Sequence, residues 1–538
     1  MELRTMEKID SSIGFSRQDS IKLSLGLIFI LAIMILVSLQ HGTNSSVLIV
    51  AAMIGGYMAM NIGANDVANN VGPAVGSGAV TLIGAITIAA IFEAAGALIA
   101  GGDVVNTIQK GIIDPVMLDD SQMFVWVMLA ALLAAALWLN LATALGAPVS
   151  TTHSIVGAVV GSGIAAAGFE IVNWNTMGQI IASWVISPLM GGVIAALFLY
   201  IIKVRITLRN DMIDAAQRNV PLLVAIMALS FTIYITLKGF KQIWPQIVSI
   251  FSFLPQASKP SFGVAFTIGM VVAILTYFFM RRYVHNKRPS LTNNRESINT
   301  LFTVPLIFAA ALLSFAHGAN DVANAVGPLA AIYDALNSGA INTKVGIPYW
   351  IMLIGALGIV VGLALYGPKL IRTVGSEITE LDRMRAFSIA LAAAITVIVA
   401  SWLKLPVSST HIAVGGVFGV GLLREWLLRR DVKNIDADSL YMMKHDHENL
   451  DEFINRFKQA SKEEQDAMIK AVKNKKSKIS RSLELNNIER KRLRKLFQQE
   501  LVKRSAIKKI IAAWLITVPA SAFLSAFLYF TIKGYLQP

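Results

Sequence analysis

The chain has 538 residues, of which 55% are apolar and only 15% are charged, and its mean hydropathy is +0.62. Soluble domains carry roughly 25% charged residues, so this composition excludes a soluble protein and makes lipid the expected solvent. Cysteine is absent, which excludes disulfides, thiolate metal sites and cysteine nucleophiles.

The net charge of +14 is unevenly distributed, because residues 425–509 hold 22 of the 47 Lys and Arg residues. A basic balance can indicate nucleic-acid binding, but nothing in this stretch resembles a recognition module, so no nucleic-acid partner is predicted. The cytoplasmic loops of membrane proteins collect Lys and Arg, and this is the better interpretation.

Apolar runs long enough to cross a bilayer recur along the chain. The first run lacks a small-residue cleavage site, so it predicts a retained helix rather than a signal peptide. Some later runs are short or contain Gly and Pro, which predicts broken or re-entrant helices. The thirteen predicted crossings cover 21–39, 46–62, 79–101, 122–146, 149–168, 178–202, 220–238, 261–280, 300–316, 346–366, 385–403, 406–424 and 508–533.

Two basic loops predict the orientation in the membrane. Residues 203–219 and 281–299 each carry several Lys or Arg side chains, so both loops are expected on the cytoplasmic side. Counting crossings from these loops places the N-terminus and residues 425–507 in the cytoplasm, and the C-terminus outside.

The chain contains an internal repeat. GANDVANNVGP at 63–73 recurs as GANDVANAVGP at 318–328, and the PVSTTH-containing stretch 147–161 recurs with PVSSTH at 405–419. An odd number of apolar segments separates the two copies, so the repeat is inverted, as in many secondary transporters. The predicted fold is an all-α polytopic membrane protein with two five-segment units, about twelve core helices and one extra N-terminal helix.

Six divisions of the chain follow from this pattern. They are the cytoplasmic N-terminus with the extra helix (1–45), the first repeat (46–202), a linker with two helices (203–299), the first part of the second repeat (300–424), a basic helical insertion (425–507), and the last helix with the C-terminus (508–538).

Each GAND motif places an acidic residue, Asp66 or Asp321, at the predicted end of an apolar helix. A carboxylate inside the membrane is costly and is a functional candidate by default. Gly63 and Gly318 are expected to permit unwound backbone with free carbonyl oxygens. Oxygen ligands suit a hard cation such as Na⁺, and the alternative is that the Asp and Asn side chains only cap helices. The predicted cation ligands are Asn65, Asp66, Asn69, Asn320, Asp321 and Asn324.

The second repeated motif suits an anion. Pro148 and Pro406 fit the first turn of a helix, and the hydroxyls that follow lie beside free backbone N–H groups at a helix N-terminus, which binds oxyanions well. Inverted symmetry points two such helix ends at one place, and the alternative is capping without a ligand. The predicted anion-binding hydroxyls are Ser150, Thr151, Thr152, Ser408, Ser409 and Thr410, with Asp66 and Asp321 beside them.

Four further ionisable residues are candidates for coupling or gating. His153, His317 and His411 flank the motifs, where an imidazole can donate to an oxyanion, carry a proton or simply bond to local backbone. Glu93 lies within an apolar segment, so it is a functional candidate, or else a glutamate at a wet helix end. The repeat alignment sets Ile359 opposite Glu93, so this carboxylate is not duplicated.

With these motifs, together with FEAAGALIAGG and IQKG (108–111), the chain resembles the PiT family of inorganic phosphate transporters. The resemblance implies phosphate uptake driven by a sodium or proton gradient, often by a dimer. It also implies that the GAND residues bind the coupling cation and border phosphate, that the six hydroxyls hold phosphate oxygens, and that Glu93 is important. Animal members have a second glutamate where this chain has Ala390, and the pattern is bacterial.

Enzyme signatures such as a P-loop or HExxH are missing from the sequence, so no enzyme activity and no cofactor other than a coupling Na⁺ or H⁺ are predicted. The predicted function is symport of inorganic phosphate across the inner or plasma membrane, with a homodimer in the lipid bilayer as the expected assembly. Two alternatives stay open, a symporter for sulfate or another tetrahedral oxyanion, and an anion channel.

Overall fold

The computed structural model describes nine stretches of the chain and a few isolated positions within 456–471. These stretches are 17–41, 46–118, 120–145, 149–241, 243–251, 254–338, 347–377, 381–433 and 504–536. Within them the protein is helical, and the β-type contact is one isolated bridge between Ile113 and Val172. The predicted all-α fold is therefore confirmed.

Eighteen α-helices are present in the described stretches, and their bounds follow in chain order. They are α1 (Arg17–His41), α2 (Ser46–Asn65), α3 (Val67–Gly76), α4 (Leu82–Ala100), α5 (Gly102–Lys110), α6 (Ser121–Ala144), α7 (Thr151–Ala167), α8 (Trp174–Ile202), α9 (Met212–Tyr234), α10 (Trp244–Ile250), α11 (Phe262–Lys287), α12 (Arg295–Thr300), α13 (Thr303–Asp321), α14 (Ala323–Ser338), α15 (Tyr349–Glu377), α16 (Arg383–Trp402), α17 (Ser409–Lys433) and α18 (Arg504–Leu536).

Eleven helical segments of the described stretches are long and apolar enough to cross a membrane. Large apolar side chains such as Phe278 on α11 and Phe527 on α18 are exposed, as expected of surfaces that face hydrocarbon rather than water. The two remaining predicted runs fall in α7, which has only 17 residues, and in α17. The chain is thus a multi-pass membrane protein, and within the described stretches α7 is a shorter apolar helix.

The GAND motifs lie where one helix ends and the next begins, as expected, because α2 ends at Asn65 and α13 ends at Asp321. Asp66 keeps a helical backbone conformation, with φ −85° and ψ −35°, and its N–H donates to the carbonyl of Ile62 at 2.9 Å. Helix α3 starts at the next residue, and α14 follows α13 after Val322 alone. Each break between the helices is therefore one residue long, and that residue, Asp66 or Val322, keeps helical backbone angles.

The motif glycines permit close helix packing instead of unwound backbone, so that expectation was wrong. A Cβ on Gly63 would lie 2.7 Å from the carbonyl carbon of Ile359 on α15, and one on Gly318 would lie 2.8 Å from that of Glu93 on α4. Only glycine allows two helix backbones to approach this closely. Both pairs place the GAND segment of one repeat against a helix of the other half.

Two helical hairpins, α6–α7 and α16–α17, have connections that are exposed at their start and buried where they enter the second helix. Leu145 and Leu403 are 75% and 53% exposed, whereas Val149, Ser150 and Val407 are at most 3% exposed. Irregular backbone at membrane depth is tolerated only where protein encloses it, and whether these hairpins are re-entrant stays a prediction. Pro406 lies before α17, which begins at Ser409, rather than in its first turn, and Pro148 lies outside the described residues.

The two basic loops contact each other at one end of the α9–α11 helix pair. Met212 N–H donates to Asn293 Oδ1 at 2.8 Å, and Asn293 Nδ2 donates to the carbonyl of Asn210 at 2.7 Å. Both loops therefore lie on the same side of the membrane, although which side this is stays a prediction.

The chain divides into two compact units, Met1–Gly419 with Arg504–Pro538, and Val420–Lys503. The first unit contains both repeats and both hairpins. Most of the insertion predicted at 425–507 lies outside the described residues, and so does most of the N-terminal segment before α1.

Candidate functional site

The two GAND motifs meet in one buried site. One oxygen each of Asp66 and Asp321 and one ring nitrogen of His317 all lie within 4.8 Å of one another. The three side chains are at most 1% exposed. Residues that are 255 positions apart in the sequence therefore bring two acidic groups to a single place inside the protein.

Hydroxyl groups from both hairpins converge on these carboxylates. Thr151 Oγ1 donates to Asp66 Oδ2 at 2.7 Å, and Thr410 Oγ1 donates to Asp66 Oδ1 at 3.1 Å. Ser409 Oγ lies 3.4 Å from Asp321 Oδ2, a longer version of the bond between Thr151 and Asp66. The Asp66 side chain makes no capping bond to α3, so the capping alternative does not describe it.

Asn65 and Asn320 attach each hairpin tip to the GAND segment of the same repeat. The Oδ1 atom of Asn65 accepts from Val149 N–H, and that of Asn320 accepts from Val407 N–H, both at 3.3 Å. Each Nδ2 group also donates at 2.9 Å to a hydroxyl on the first hairpin helix. The two repeats thus use the same bonds, and the amide oxygens satisfy otherwise free N–H groups of the buried tips.

Asn69 and Asn324 instead reach the hairpin of the opposite repeat. Asn69 Nδ2 donates to Thr410 Oγ1 at 2.9 Å, and Asn324 Nδ2 lies 3.1 Å and 3.2 Å from the hydroxyls of Thr151 and Thr152. Thr152 Oγ1 also donates to the carbonyl of Val407 at 2.9 Å. The site is therefore built from both repeats, and neither repeat alone contains it.

Ser150 and Ser408 cap the two hairpin helices. Ser150 Oγ accepts from His153 N–H at 3.1 Å, and Ser408 Oγ accepts from His411 N–H at 3.2 Å. Capping leaves their hydroxyl protons free and leaves the N–H groups of the following residues at the helix starts. The N-termini of α7 and α17 thus carry partial positive charge close to the two carboxylates.

The imidazoles of His153 and His411 lie away from the carboxylates in an aromatic cluster. Their ring centroids are 4.4 Å apart, His153 lies 3.8 Å from Trp184, and His411 stacks on Trp514 at 3.6 Å. Trp184 Nε1 donates to the carbonyl of Pro406 at 3.2 Å. The cluster packs the two hairpins against α8 and α18. These histidines therefore lie where the hairpins contact those two helices.

His317 is the histidine that joins the acidic groups. Its Nδ1 atom lies 2.6 Å from Glu93 Oε2, and its Nε2 atom lies 2.9 Å from Asp321 Oδ2. Asn70 Nδ2 donates to the other oxygen of Glu93 at 2.8 Å. Glu93 is fully buried, so it is not a glutamate at a wet helix end.

Three buried oxygen atoms at the site have no hydrogen-bond donor within the described stretches. They are Asp321 Oδ1, Asn324 Oδ1 and Asn70 Oδ1. Buried acceptors without a donor are costly, and carboxylate and amide oxygens are each ligands that suit a hard cation such as Na⁺. Asp321, Asn324 and Asn70 are thus the side chains whose oxygens can take a cation without losing an existing bond.

The sequence did not identify Asn70, because it follows Asn69 only in the first repeat and Ala325 takes its place in the second. Thr143 and Ser401, the hydroxyl partners of Asn65 and Asn320, were missed as well. They are separated by the same 258 residues as the hairpin motifs. A search for polar residues that recur at this offset within apolar helices would have found them.

Comparisons with known proteins agree on one family. The family described as "Phosphate transporter family" matches residues 62–525. A Helicobacter pylori protein named "Putative phosphate permease" is 50% identical over 546 residues, covering 100% of this chain and 99% of its own length. A Pyrococcus abyssi protein of the same description is 40% identical over 379 residues, 70% of this chain and 89% of its own. A solved structure described as "The sodium-dependent phosphate transporter" matches with a TM-score of 0.70 at 30% identity, over 91% of this chain and 99% of that chain.

Proposed function

Because this chain belongs to the phosphate transporter family, we propose that it takes up inorganic phosphate by symport with a cation. Phosphate and cation bind together at the buried site where the two GAND motifs and the two hairpin tips meet. The convergence of Asp66 and Asp321 within 4.8 Å, beside two helix N-termini, is the observation that carries this proposal.

Phosphate binds at the hairpin tips, where the N-termini of α7 and α17 approach the site. The hydroxyls of Thr151, Thr152, Ser409 and Thr410 are buried there, beside the free N–H groups of each first helical turn. Each hydroxyl already donates its one proton within the site, so it becomes a donor to phosphate by exchanging that bond. Such helix ends bind oxyanions through their N–H groups and their partial positive charge. Ser150 and Ser408 hold the turns in shape through their capping bonds and add hydroxyl protons on the same side.

The coupling cation binds at the carboxylates, and Na⁺ fits the donor set better than a transition metal does. Asp321 Oδ1, Asn324 Oδ1 and Asn70 Oδ1 are oxygens without a donor in the described stretches, and oxygen-only sets suit hard cations. The similar solved structure is that of a sodium-dependent transporter, which supports the same assignment. A proton on Asp66 or Asp321 is the competing choice.

Electrostatics couples the two solutes. Two buried carboxylates repel an incoming phosphate anion, and unit charges about 4 Å apart interact by about 4 kcal/mol at an effective dielectric constant of 20. Each bound cation offsets one of these negative charges and reduces the repulsion, so phosphate binds better when the cation is present. Alternating access then follows when one set of repeat elements rocks against the other around the loaded site.

The membrane orientation and the assembly accompany this proposal as predictions. The N-terminus and residues 425–507 are placed in the cytoplasm because of the basic loops, the C-terminus is placed outside, and two copies of the chain are expected to form a homodimer. Accessibility labelling of single cysteines introduced into the chain, which has none of its own, tests the orientation.

The test is phosphate uptake into proteoliposomes with sodium and proton gradients imposed separately. Symport predicts accumulation against a phosphate gradient when the inward sodium gradient is present, whereas a channel gives only passive flux. Excess unlabelled sulfate distinguishes the sulfate alternative, because it competes only if sulfate is a substrate. Accumulation driven by the proton gradient alone would replace Na⁺ with H⁺ in this mechanism.

The Asp321→Asn variant tests the site itself. Removing one carboxylate charge while keeping the side-chain shape is expected to abolish gradient-driven uptake without unfolding the protein. The matched control is Asp114→Asn, an exposed residue that caps a short 3₁₀ turn outside the site and is expected to transport normally. Normal uptake by Asp321→Asn would show that this carboxylate takes no part in coupling.

A further inference from the structure

The buried ion pair between Glu93 and His317 occurs in only one half of the inverted repeat. Glu93 Oε2 and His317 Nδ1 are 2.6 Å apart, and both side chains are fully buried. Asn70 fixes the other carboxylate oxygen with a bond of 2.8 Å. One oxygen of the Glu93 carboxylate thus holds the imidazole, while Asn70 holds the other oxygen in place.

Packing identifies the counterpart of this pair in the other half. Gly318 lies against the backbone of Glu93, and Gly63 lies against the backbone of Ile359 in the same way. Ile359 therefore stands where Glu93 stands, and Ile62, the residue before Gly63, stands where His317 does. Both isoleucine side chains are fully buried.

The Glu93–His317 ion pair is not required for helix packing. Two isoleucines fill the equivalent space, so an ion pair is not needed to pack the GAND segment against its neighbouring helix. Buried ion pairs usually stabilise a fold no better than well-packed apolar residues of similar volume. The pair must therefore be explained by what lies beside it, and that neighbour is Asp321.

His317 reaches the site through its second nitrogen. Nε2 lies 2.9 Å from Asp321 Oδ2 but makes no aligned hydrogen bond, so the contact is electrostatic. Glu93 sets the orientation of the ring from the other side, as a second carboxylate does for histidines at metal sites. Asp66 has two threonine hydroxyls as partners instead, so the two carboxylates have different surroundings.

The cation site has two acidic half-sites, one at the Asp66 carboxylate and one at the Asp321 carboxylate. We propose that Glu93 and His317 are positioning residues that make these half-sites unequal in their affinity for the coupling cation. The imidazole lies beside the Asp321 carboxylate and competes with the cation for it, which keeps that half-site weak and allows the cation to be released. The Asp66 half-site meets this competitor less directly, because the imidazole lies 2.9 Å from the Asp321 carboxylate but only within 4.8 Å of the Asp66 oxygen. The inference rests on the proposed symport and concerns how that same site is tuned.

The experiment replaces the pair with the residues found in the other half. The double variant Glu93→Ile/His317→Ile is reconstituted, and the sodium concentration for half-maximal phosphate uptake is compared with the phosphate KM at saturating sodium. We expect half-saturating sodium to fall by at least about fivefold and the phosphate KM to stay within about twofold, since only the cation loses a competitor. The single variant His317→Ile leaves Glu93 buried without its partner, and its uptake is expected to fall by at least about tenfold.

A second measurement does not depend on transport. Bound cation raises the melting temperature of the protein by mass action, so sodium titrations of detergent-solubilised protein give an apparent affinity for each variant. The matched control is Ile359→Val in the other half, which is expected to change neither value. If the isoleucine pair prevents folding, Glu93→Gln/His317→Gln fills the same space with neutral polar groups and is expected to show the same fall.

The outcomes separate this inference from the proposed function. An unchanged sodium affinity in a folded double variant would overturn the inference, whereas failure of the wild-type protein to accumulate phosphate would overturn the symport. A merely structural pair would lower the amount of folded protein and the maximal rate without moving half-saturating sodium. Absence of any sodium effect on wild-type uptake and melting temperature would overturn the inference as well.

Discussion

Gly318→Ala should damage the site in a way that Gly63→Ala does not. The new Cβ would lie 2.8 Å from the carbonyl carbon of Glu93 and closer still to its oxygen, so the two helices must separate by on the order of 1 Å. The Glu93–His317 distance of 2.6 Å then lengthens to or beyond the limit of a hydrogen bond. His317, released from Glu93, competes more strongly for Asp321.

The magnitude follows from two terms. Overpacking is expected to cost about 1–3 kcal/mol of stability in both variants, because Gly63 contacts Ile359 as closely as Gly318 contacts Glu93. In Gly318→Ala alone, weakening a charged hydrogen bond adds roughly 1 kcal/mol at the site, which is about fivefold in cation affinity.

The assay is melting temperature and half-saturating sodium for both variants, measured beside the wild-type protein. We expect similar drops in melting temperature, with half-saturating sodium about fivefold higher for Gly318→Ala and within about twofold of wild type for Gly63→Ala. Equal sodium shifts in the two variants would refute the reasoning, since they would trace the effect to helix separation rather than to the ion pair.

Two further substitutions test the hairpin tips. Thr151→Val removes the 2.7 Å bond to Asp66 while keeping the side-chain volume. A hydrogen bond to a charged group is worth about 1.5–3 kcal/mol, so we expect the phosphate KM to rise at least about tenfold in uptake assays. An unchanged KM would show that Thr151 is not part of the site. Trp184→Phe removes the bond to Pro406 but keeps a ring against His153, so the maximal uptake rate is expected to fall about two- to tenfold with normal expression; a wild-type rate would show that this bond does not hold the hairpin.

The sequence predicted the fold because membrane insertion leaves few choices. Apolar runs of helix length must become helices in lipid, and the repeated motifs with an odd number of segments between them specify an inverted pair. The pattern also predicted that Asp66 and Asp321 lie at one site, because the symmetry of an inverted repeat places equivalent motifs together. What it could not supply was the backbone around the motif glycines, since a break of one residue and a longer unwound stretch lower the hydropathy in the same way.

The partners of the site residues were harder to predict for a physical reason. Hydropathy and motif spacing report on each segment separately, whereas the bonds of Asn69 to Thr410 and of Glu93 to His317 join segments that are far apart in sequence. Glu93 could be recognised as an ionisable group within an apolar run. His317 could be named as a candidate but not as the partner of Glu93, because it lies next to a motif where local backbone bonding explains a histidine equally well.

The hydrogen bonds divide into those within a repeat and those between repeats, and this division specifies what can move. Asn65 and Asn320 bind the tip of their own hairpin, so each GAND segment and its hairpin tip form one unit. Asn69, Asn324 and Thr152 bind the opposite hairpin or its tip, across the boundary between the units. Rocking one repeat against the other would break the second set and keep the first. On the proposed function, phosphate and its cation bind among the second set, and we expect the bound solutes to replace the bonds that hold the site closed.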